Sequence, residues 1–594
     1  MKVLSPDNRS LWRHLNNLLK PADTKQIPLE ASTMANFFTN KVQLIRSVTA
    51  NAPPPTIGMR QVPSFSDIDL YTADEVLHFI SRAPTKHCCL DPVPTSIVKQ
   101  CCDILAPVIA AMANKSFESG EFPETCQHAV VKPLLKKPNL DPFLPQSYRP
   151  ISNLSFVSKL VEKLFLHRLN KHINQNKLLP THQSAYRKYH STETAVAIVV
   201  NDIRRAIDKG EVCALVLLDM SAAFDTVDHT VLIEVLQKRY GVKSTALSWM
   251  TSYLSRRTQS VNVGADYSDE SSLTCGVPQG SVLGPSEYTM YAEEIDDVVQ
   301  RDKLRHHMYA DDIQILATMR PAIAEVTSKK AVIERCVANI NDMCASRRLV
   351  TNPDKTEVIW FGTSTNLRRI EGHTAIKLGA SDILPSVTVR DLGVVLDTKL
   401  DFHAHISRTV STGFYHLRRI RQLRHILPRA LKQRLVSALI LSRVDYCNAV
   451  LADLPASTLA PLKRLMNAAV RFVADLRPRS SVTAAFRELH WLPVDQRITF
   501  KLCMLMYGVV HDRAPVYLTD AVTPVSSLPA RSHLRSAASG LFDVPRTNTV
   551  HGRRAFSVAA PAAWNSLPQN IRNIETPQAF RRHLKAHLFE IAYS

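Results

Sequence analysis

Two short stretches hold the residues best suited to chemistry. In the first, the apolar run Ala214-Leu215-Val216-Leu217-Leu218 ends in Asp219 and continues as Met220-Ser221-Ala222-Ala223-Phe224-Asp225. In the second, Asp311 and Asp312 stand together between Met308-Tyr309-Ala310 and Ile313-Gln314-Ile315-Leu316. Both apolar runs favour strands, so Asp219 marks a stiff strand end and the acidic pair marks the turn of a hairpin. Adjacent aspartates repel one another unless a cation neutralises them. Carboxylate oxygens suit Mg²⁺, which takes few protein ligands and completes its shell with phosphates. Two such ions about 3.5–4 Å apart activate an attacking oxygen and steady a leaving one. The chemistry spelled out is phosphoryl transfer by positioning and charge neutralisation. An Asp-Asp pair alone is ordinarily a turn or a helix cap, so the rest of the chain has to carry the reading.

The elements that must hold these acids are of mixed type. From about residue 95 to 390, helical segments alternate with short β-rich runs such as Val358-Ile359-Trp360-Phe361, which predicts an α+β domain. Over 8–50, Leu11, Leu15, Leu18 and Leu19, then Phe37, Val42 and Ile45, follow helical spacing. Ala52-Pro53-Pro54-Pro55 breaks that pattern, and 51–70 reads as a linker. Thr72-Ala73-Asp74-Glu75 has the pattern of a capping box, so a helix should begin after Thr72. Beyond 400 the chain reads as helical and basic, most clearly from His416 to Arg424, and Pro428 interrupts it. Aromatic and proline anchors (Phe542, Pro545, Phe556, Pro561, Trp564, Pro568) stud the last 60 residues.

A chain of 594 residues, 45% apolar and 21% charged, is expected to fold into several domains and is neither disordered nor fibrous. Its net charge is +20, and residues 391–594 alone hold 28 Lys and Arg against 13 Asp and Glu, a surplus of 15. A surplus so concentrated points to a polyanionic partner, nucleic acid ahead of an acidic membrane surface. Cys88-Cys89 and Cys101-Cys102 are adjacent pairs, without the spacing of a tetrahedral zinc site. Reduced thiols in the cytosol or nucleus are the expectation. No signal peptide is read at Met1 to Pro6, and no run of roughly 18 apolar residues predicts a membrane span.

Seven stretches in one order carry a family resemblance. They are Ser147-Tyr148-Arg149-Pro150-Ile151-Ser152, the run from Gln183 to Ala195, the strand ending in Asp219, Gly276-Val277-Pro278-Gln279-Gly280, Tyr309-Ala310-Asp311-Asp312, Asn352-Pro353-Asp354-Lys355, and Asp391-Leu392-Gly393-Val394. Together they resemble the reverse transcriptases of non-LTR (LINE-type) retrotransposons, close to the jockey, CR1 and L2 groups. Leu11-Trp12 near the start and Trp564-Asn565-Ser566-Leu567-Pro568, Phe580 and Leu588-Phe589 near the end extend the likeness over nearly the whole chain.

The resemblance implies an α+β right-hand polymerase with fingers, a palm built on an antiparallel sheet, a helical thumb, and helical extensions at both ends. Its divisions would be an N-terminal helical segment and linker at 1–65, a helical lead-in at 66–115, and fingers and palm at 116–390. Primer grip and basic thumb would follow at 391–480, with a region of unreadable role at 481–594. The implied activity is RNA-directed DNA polymerisation, with Asp219, Asp311 and Asp312 as catalytic metal ligands for two Mg²⁺ ions, Mn²⁺ being possible. Phe224, five residues after Asp219, would be the gate that leaves no room for a 2′-hydroxyl. Lys136 or Lys137, with Arg149, would hold the incoming triphosphate, since a guanidinium grips phosphate bidentately and an ammonium acts as a point charge. Gln279 and Gly280 would approach the nascent base pair, the glycine permitting close approach. Lys355 would stabilise or protonate the departing pyrophosphate, Leu392 and Gly393 would form the primer grip, and the basic helix would hold the duplex by its phosphates.

The implied partners are an RNA template, a DNA primer or target and dNTPs, in a cytoplasmic ribonucleoprotein and in the nucleus. The stretch before residue 95 is too short for the endonuclease of full-length elements, so nicking is expected from a separate endonuclease. The chain departs from the family after Pro285, where an apolar run usually follows. Here Ser286-Glu287-Tyr288-Thr289-Met290-Tyr291-Ala292-Glu293-Glu294-Ile295-Asp296-Asp297 is rich in acids. Glu287 stands where a buried hydrophobe is common, and an unpaired buried acid is costly. Decay of an old copy or a locally exposed helix face would each account for it. A catalytically inactive nucleic-acid-binding relic is the alternative reading. A maturase or an RNA polymerase fits less well, because of Phe224 and the closing segment.

Overall fold

The run that ends in Asp219 is an inner strand of a four-stranded antiparallel sheet, in a computed structural model that describes residues 27–86, 88–379, 381–528 and 540–594. The strand Val212–Leu218 pairs on one side with Asp312–Met319 and on the other with Glu357–Phe361. Arg305–Tyr309 is the outer partner of Asp312–Met319. Side chains alternate across a strand. Val212, Ala214, Val216 and Leu218 therefore join a core with Phe165, Trp249 and Met308. Cys213 and Leu215 join a second core on the opposite face, with Leu396, Trp564 and Phe580. Both faces are dry, which explains why the run is continuously apolar. Each fully buried Val or Leu contributes roughly 1.5–3 kcal/mol.

A second sheet has the order Tyr148–Asn153, His128–Leu135, Thr258–Val263, Asp266–Tyr267. The first two of these strands are antiparallel, with Leu134 opposite Arg149. The helix Ala31–Val48 lies over this region, anchored at both ends. Ala31 N donates to Asp266 Oδ2 at 3.0 Å, and Arg46 pairs with Asp228 at 2.9 Å. Leu11, Trp12, Leu15, Leu18 and Leu19 fall outside the described residues. Residues 51–70 form no helix, yet Phe65 bridges Val242 and both Ile57 and Ile68 are buried. The capping box forms as read: Thr72 Oγ1 accepts from Glu75 N at 3.2 Å, Thr72 N donates to Glu75 Oε2 at 3.0 Å, and Ala73–Arg82 follows as helix.

From His403–Arg421 to Pro577–Tyr593 the chain is helical. Pro428 caps the helix Arg429–Val436. This part is fastened to the buried helix Thr192–Asp208. Arg204, 1% exposed, donates to the carbonyls of Val450 at 2.8 Å and Arg554 at 2.6 Å. Asp208 Oδ1 accepts from Asn548 N at 2.9 Å and Thr549 N at 2.8 Å. One hydrophobic core thus runs from Val389 to Leu588 and takes in the sheet's second face, so no change of core marks the divisions drawn at 390 and 480. All eleven cysteines are free thiols. Among the described residues no helix is long and apolar enough to cross a membrane.

Candidate active site

The three acids meet at one end of the four-stranded sheet. The register Leu218 opposite Ile313 brings Asp219, next along, beside Asp312. Tyr309 pairs with Asp312 across a two-residue turn, Ala310-Asp311, with Ala310 at φ 57°. Asp219 is pinned from the other side, because Asn352 N donates to its carbonyl at 2.8 Å and Met220 bridges Thr351. Lys355 Nζ lies 2.7 Å from Asp219 Oδ2. Burial raises the Asp311 carboxyl above its ordinary range; Asp219 adds to the effect and Lys355 opposes it. Burial, then the charges of Asp311 and Asp219, push Asp312 up to about 6 against the pull of Lys355. Three crowded carboxylates with one ammonium among them lack positive charge, and an all-oxygen anionic set suits a hard divalent cation. Among the described residues no three acidic, His or Cys side chains close a metal shell unaided. Mg²⁺ characteristically takes the remainder from water and substrate phosphate.

The Phe224 ring stacks on the buried Tyr288 at 4.9 Å and 25°, and Tyr288 in turn feels the charges of Asp311 and Asp312. Its carbonyl accepts from Val277 N at 2.8 Å, and Gly276 N donates to Val227 O at 2.8 Å. The Gly276–Gln279 loop is therefore laced to the segment after Asp219. Gln279 Nε2 donates to Asp225 Oδ1 at 3.0 Å. Burial pushes the Asp225 carboxyl up, while Lys41 and Gln279 draw it down. Lys41, Asp225 and Gln279 line a cavity of about 570 Å³, nucleotide-sized, under the helix Ala31–Val48. Gly280 has φ 129°, and a Cβ there would stand 2.4 Å from Ser152 O. Within the chain, the close approach it permits is thus to the strand Tyr148–Asn153, whose Ser152 N donates to Gln279 O at 2.8 Å.

Lys136, Lys137 and Arg149 are exposed at the ends of two paired strands. Lys136 Nζ donates to Gln146 O at 2.8 Å. Burial, then the charges of Lys41, Lys355 and Arg149, hold its ammonium below the usual lysine range. Lys136 is thus within electrostatic reach of Lys41, Arg149 and Lys355, the last of which is paired with Asp219. Leu392 and Gly393, at φ 42° and 91°, form the turn between Thr388–Asp391 and Val394–Asp397. Tyr446 OH donates to Leu392 O at 2.6 Å and lies 3.0 Å from Thr192 Oγ1. Gln314 Nε2 donates to Asp391 Oδ1 at 2.5 Å, which ties this turn to the acidic hairpin. Burial and the charge of Asp312 push Asp391 up to about 7.

The acidic stretch after Pro285 differs from expectation. Glu287 is not on an exposed helix face: it is fully buried, and neither of its oxygens has a hydrogen bond. Burial, then the charge of Glu162, push it up to about 8, with Arg257 opposing. Glu162 is equally buried but satisfied, accepting from Val282 N at 2.6 Å, Leu283 N at 3.2 Å, Ser158 Oγ at 3.2 Å and Tyr253 OH at 3.3 Å. It fixes the loop that follows Gln279. The later acids all have arginine or histidine partners. Arg239 reaches Glu293 at 2.5 Å, Glu294 at 3.3 Å and Asp297 at 2.6 Å. Arg60 reaches Glu293 at 3.3 Å, Arg347 contacts Glu294, and His306 Nε2 lies 2.7 Å from Asp296 Oδ1. Sequence reasoning gave no role to Asp225, Glu162, Lys41 or Tyr446; only Asp225, inside a quoted motif, carried a signal.

Residues 135–396, which hold every residue singled out above for catalysis, nucleotide binding and primer grip, match the family described as reverse transcriptase (RNA-dependent DNA polymerase). The chain thus contains a stretch similar to reverse transcriptases. It is 27% identical, over 71% of its length, to a probable RNA-directed DNA polymerase from transposon BS of Drosophila melanogaster, of which it covers 47%. It is 27% identical, over 57% of its length, to the RNA-directed DNA polymerase from mobile element jockey of Drosophila melanogaster, covering 36% of that protein. A third relative, a probable RNA-directed DNA polymerase from transposon X-element of Drosophila melanogaster, is 34% identical over 30% of this chain and is 20% covered. The chain thus spans about half the length, or less, of the curated relatives it matches. The fold is α+β, and reverse transcriptases as a family use divalent metal ions.

Proposed function

We propose that the chain is the RNA-directed DNA polymerase of a non-LTR retrotransposon, adding dNTPs to a primer 3′-hydroxyl along an RNA template. The observation that carries this reading is the meeting of Asp219, Asp311 and Asp312 at one sheet end, with Lys355 on Asp219 and Phe224 stacked on Tyr288. Two Mg²⁺ ions, or Mn²⁺, held by those acids would activate the 3′-hydroxyl and offset charge on the departing pyrophosphate. Arg149 and Lys136 take the triphosphate; the three cations that bear on Lys136 favour it over Lys137. With phosphate in the cleft, the Lys355 ammonium has oxygens to turn to and steadies or protonates the leaving group. Phe224, backed by Tyr288, fills the space of a 2′-hydroxyl and so selects deoxynucleotides. Gln279, held by Asp225, faces the new base pair. The Leu392-Gly393 turn supports the primer, and the exposed Arg418, Arg421 and Arg424 hold duplex phosphates in a salt-sensitive way. A separate endonuclease would nick the target, and the work would fall to a cytoplasmic ribonucleoprotein and the nucleus.

The test is extension of oligo(dT) on poly(rA) with Mg²⁺ and dTTP. Product from the wild type and none from Asp311→Asn is the expected result, and Phe224→Ala should gain use of ribonucleotides. A folded wild type that binds the duplex yet makes no product would instead mark an inactive nucleic-acid-binding relic.

A further inference from the structure

Tyr186 and Tyr189 are 57% and 45% exposed. Both are held at positive φ, 57° and 67°, where a bulky side chain is a strained outlier. Strain of this kind persists only when the surroundings over-determine it, and it clusters at functional sites. The surroundings here are explicit. Arg187 Nη1 donates to the carbonyls of Pro180 at 2.5 Å and Gln183 at 2.9 Å. Gln183 Oε1 accepts from Ala185 N at 2.9 Å and from Ala310 N, in the acidic turn itself, at 3.2 Å. Ser184 N donates to Met308 O at 2.9 Å. From behind, Ser184 Oγ meets both His307 Nε2 and Tyr517 OH at 2.8 Å. The loop is thus an added edge on the catalytic hairpin, braced by the C-terminal helices. Burial and the nearby charges of Asp311 and Tyr309 raise the Tyr186 hydroxyl above its ordinary range, which sets it within electrostatic reach of Asp311.

We propose that loop 183–190 seats the 3′-terminal nucleotides of the primer strand, with the ring of Tyr186 as the contact surface and Tyr189 beside it. The inference rests on the polymerase reading and assigns it a further positioning residue. An exposed aromatic ring is a stacking platform that any base or sugar can use. The Lys188 ammonium, 4.7 Å from the centre of the Tyr189 ring, supplies a cation for the backbone phosphate. The side of the sheet identifies the strand. The loop adjoins Arg305–Tyr309, the edge strand, whereas Lys355 precedes Glu357–Phe361 at the opposite edge and is within electrostatic reach of the triphosphate cation Lys136. A primer end seated on the loop side presents its hydroxyl to Asp311 from the edge opposite Lys355.

The test uses the full chain and an oligo(dT) primer with 2-aminopurine at its 3′ end, annealed to a complementary RNA. Duplex affinity is read by anisotropy, ring contact by aminopurine quenching, and turnover by single-nucleotide extension. Tyr186→Gly should keep the thermal midpoint, because glycine accepts the left-handed backbone. It should raise the duplex Kd about tenfold, the loss of one ring's stacking, abolish the quenching and leave the dNTP KM in place. Tyr186→Phe, which keeps the ring, should recover most of the loss. Unchanged Kd and quenching in Tyr186→Gly would overturn the proposal, as would a rise in dNTP KM without a change in Kd. A wild type that quenches and binds through Tyr186 but never extends would sustain the seat while removing the polymerase reading.

Discussion

Replacing Glu287 with Leu should change how stability depends on pH. Glu287 is fully buried with both oxygens unpaired, and its carboxyl is pushed from 4.5 to about 8, by burial first and by Glu162 second. Glu162 accepts four hydrogen bonds and is the better home for a charge beside Arg257, so Glu287 is the neutral member of the pair. Between the two values the folded chain keeps a proton that the unfolded chain has released. The unfolded state then binds fewer protons, and stability falls as pH rises. This contribution is whole below 4.5 and is lost as pH climbs through about 8. At 1.36 kcal/mol per unit the span amounts to about 5 kcal/mol at most. Leucine has a similar volume and no proton to lose. Urea unfolding of both proteins at pH 5, 6, 7 and 8 would show the difference. Glu287→Leu should be the more stable at every pH, with a gap that widens by up to about 1.4 kcal/mol per unit. Parallel curves would refute the reasoning, since they would mean that Glu287 does not titrate differently in the folded chain.

Three further outcomes follow from the same geometry. Lys355→Ala should lower kcat for single-nucleotide addition by about 10²-fold with little change in dNTP KM; its side chain is 63% exposed, so the thermal midpoint should hold. Gly280→Ala would bring a Cβ within 2.4 Å of Ser152 O at a backbone angle reserved for glycine. It should destabilise by about 1–3 kcal/mol or more, and hydrogen exchange should find the Ser152 amide, which donates to Gln279, less protected. Arg239→Met leaves Glu293 without its nearest cation and takes one of two from Glu294, which keeps Arg347. A loss of about 3–5 kcal/mol is expected in urea at pH 7, shrinking toward pH 4 as the stranded acids take up protons.

The candidate acids were legible because each lies in a run that announces its own local structure. Leu215 to Leu218 read as a strand, the acidic pair as a hairpin end (Asp311 in the turn, Asp312 opening the next strand), and Thr72 with Glu75 as a helix cap, each from its own neighbours. Neighbouring Lys136 and Lys137 were beyond separation, because what distinguishes them is the electrostatic reach of Lys41 and Lys355, distant in the chain. The acids at 293–297 read as a disturbance for the same reason. Their partners are Arg60, Arg239, His306 and Arg347, and only the fold assembles them. Glu287 offered two readings, and the packing of its helix against Glu162 and Arg257 excludes the exposed one. The left-handed backbone at Tyr186 carries no compositional mark, since glycine and asparagine are the residues that advertise such angles. The region after 480 had no readable role, and its apolar residues join the core on the second face of the four-stranded sheet.

That shared core bears on what can be removed from the protein. The match to the family ends at residue 396, and a polypeptide stopped there would retain Asp219, Asp311, Asp312 and Lys355. It would also uncover Cys213, Leu215, Leu316, Ile359 and Phe361, the whole second face of the catalytic sheet. A contiguous apolar face of that kind on a sheet invites aggregation. The segment that matches the family therefore shares its core with the helices that follow it. The helices up to Leu588 serve the four-stranded sheet as an internal chaperone would, permanently covering the back of the strand whose front end holds Asp219.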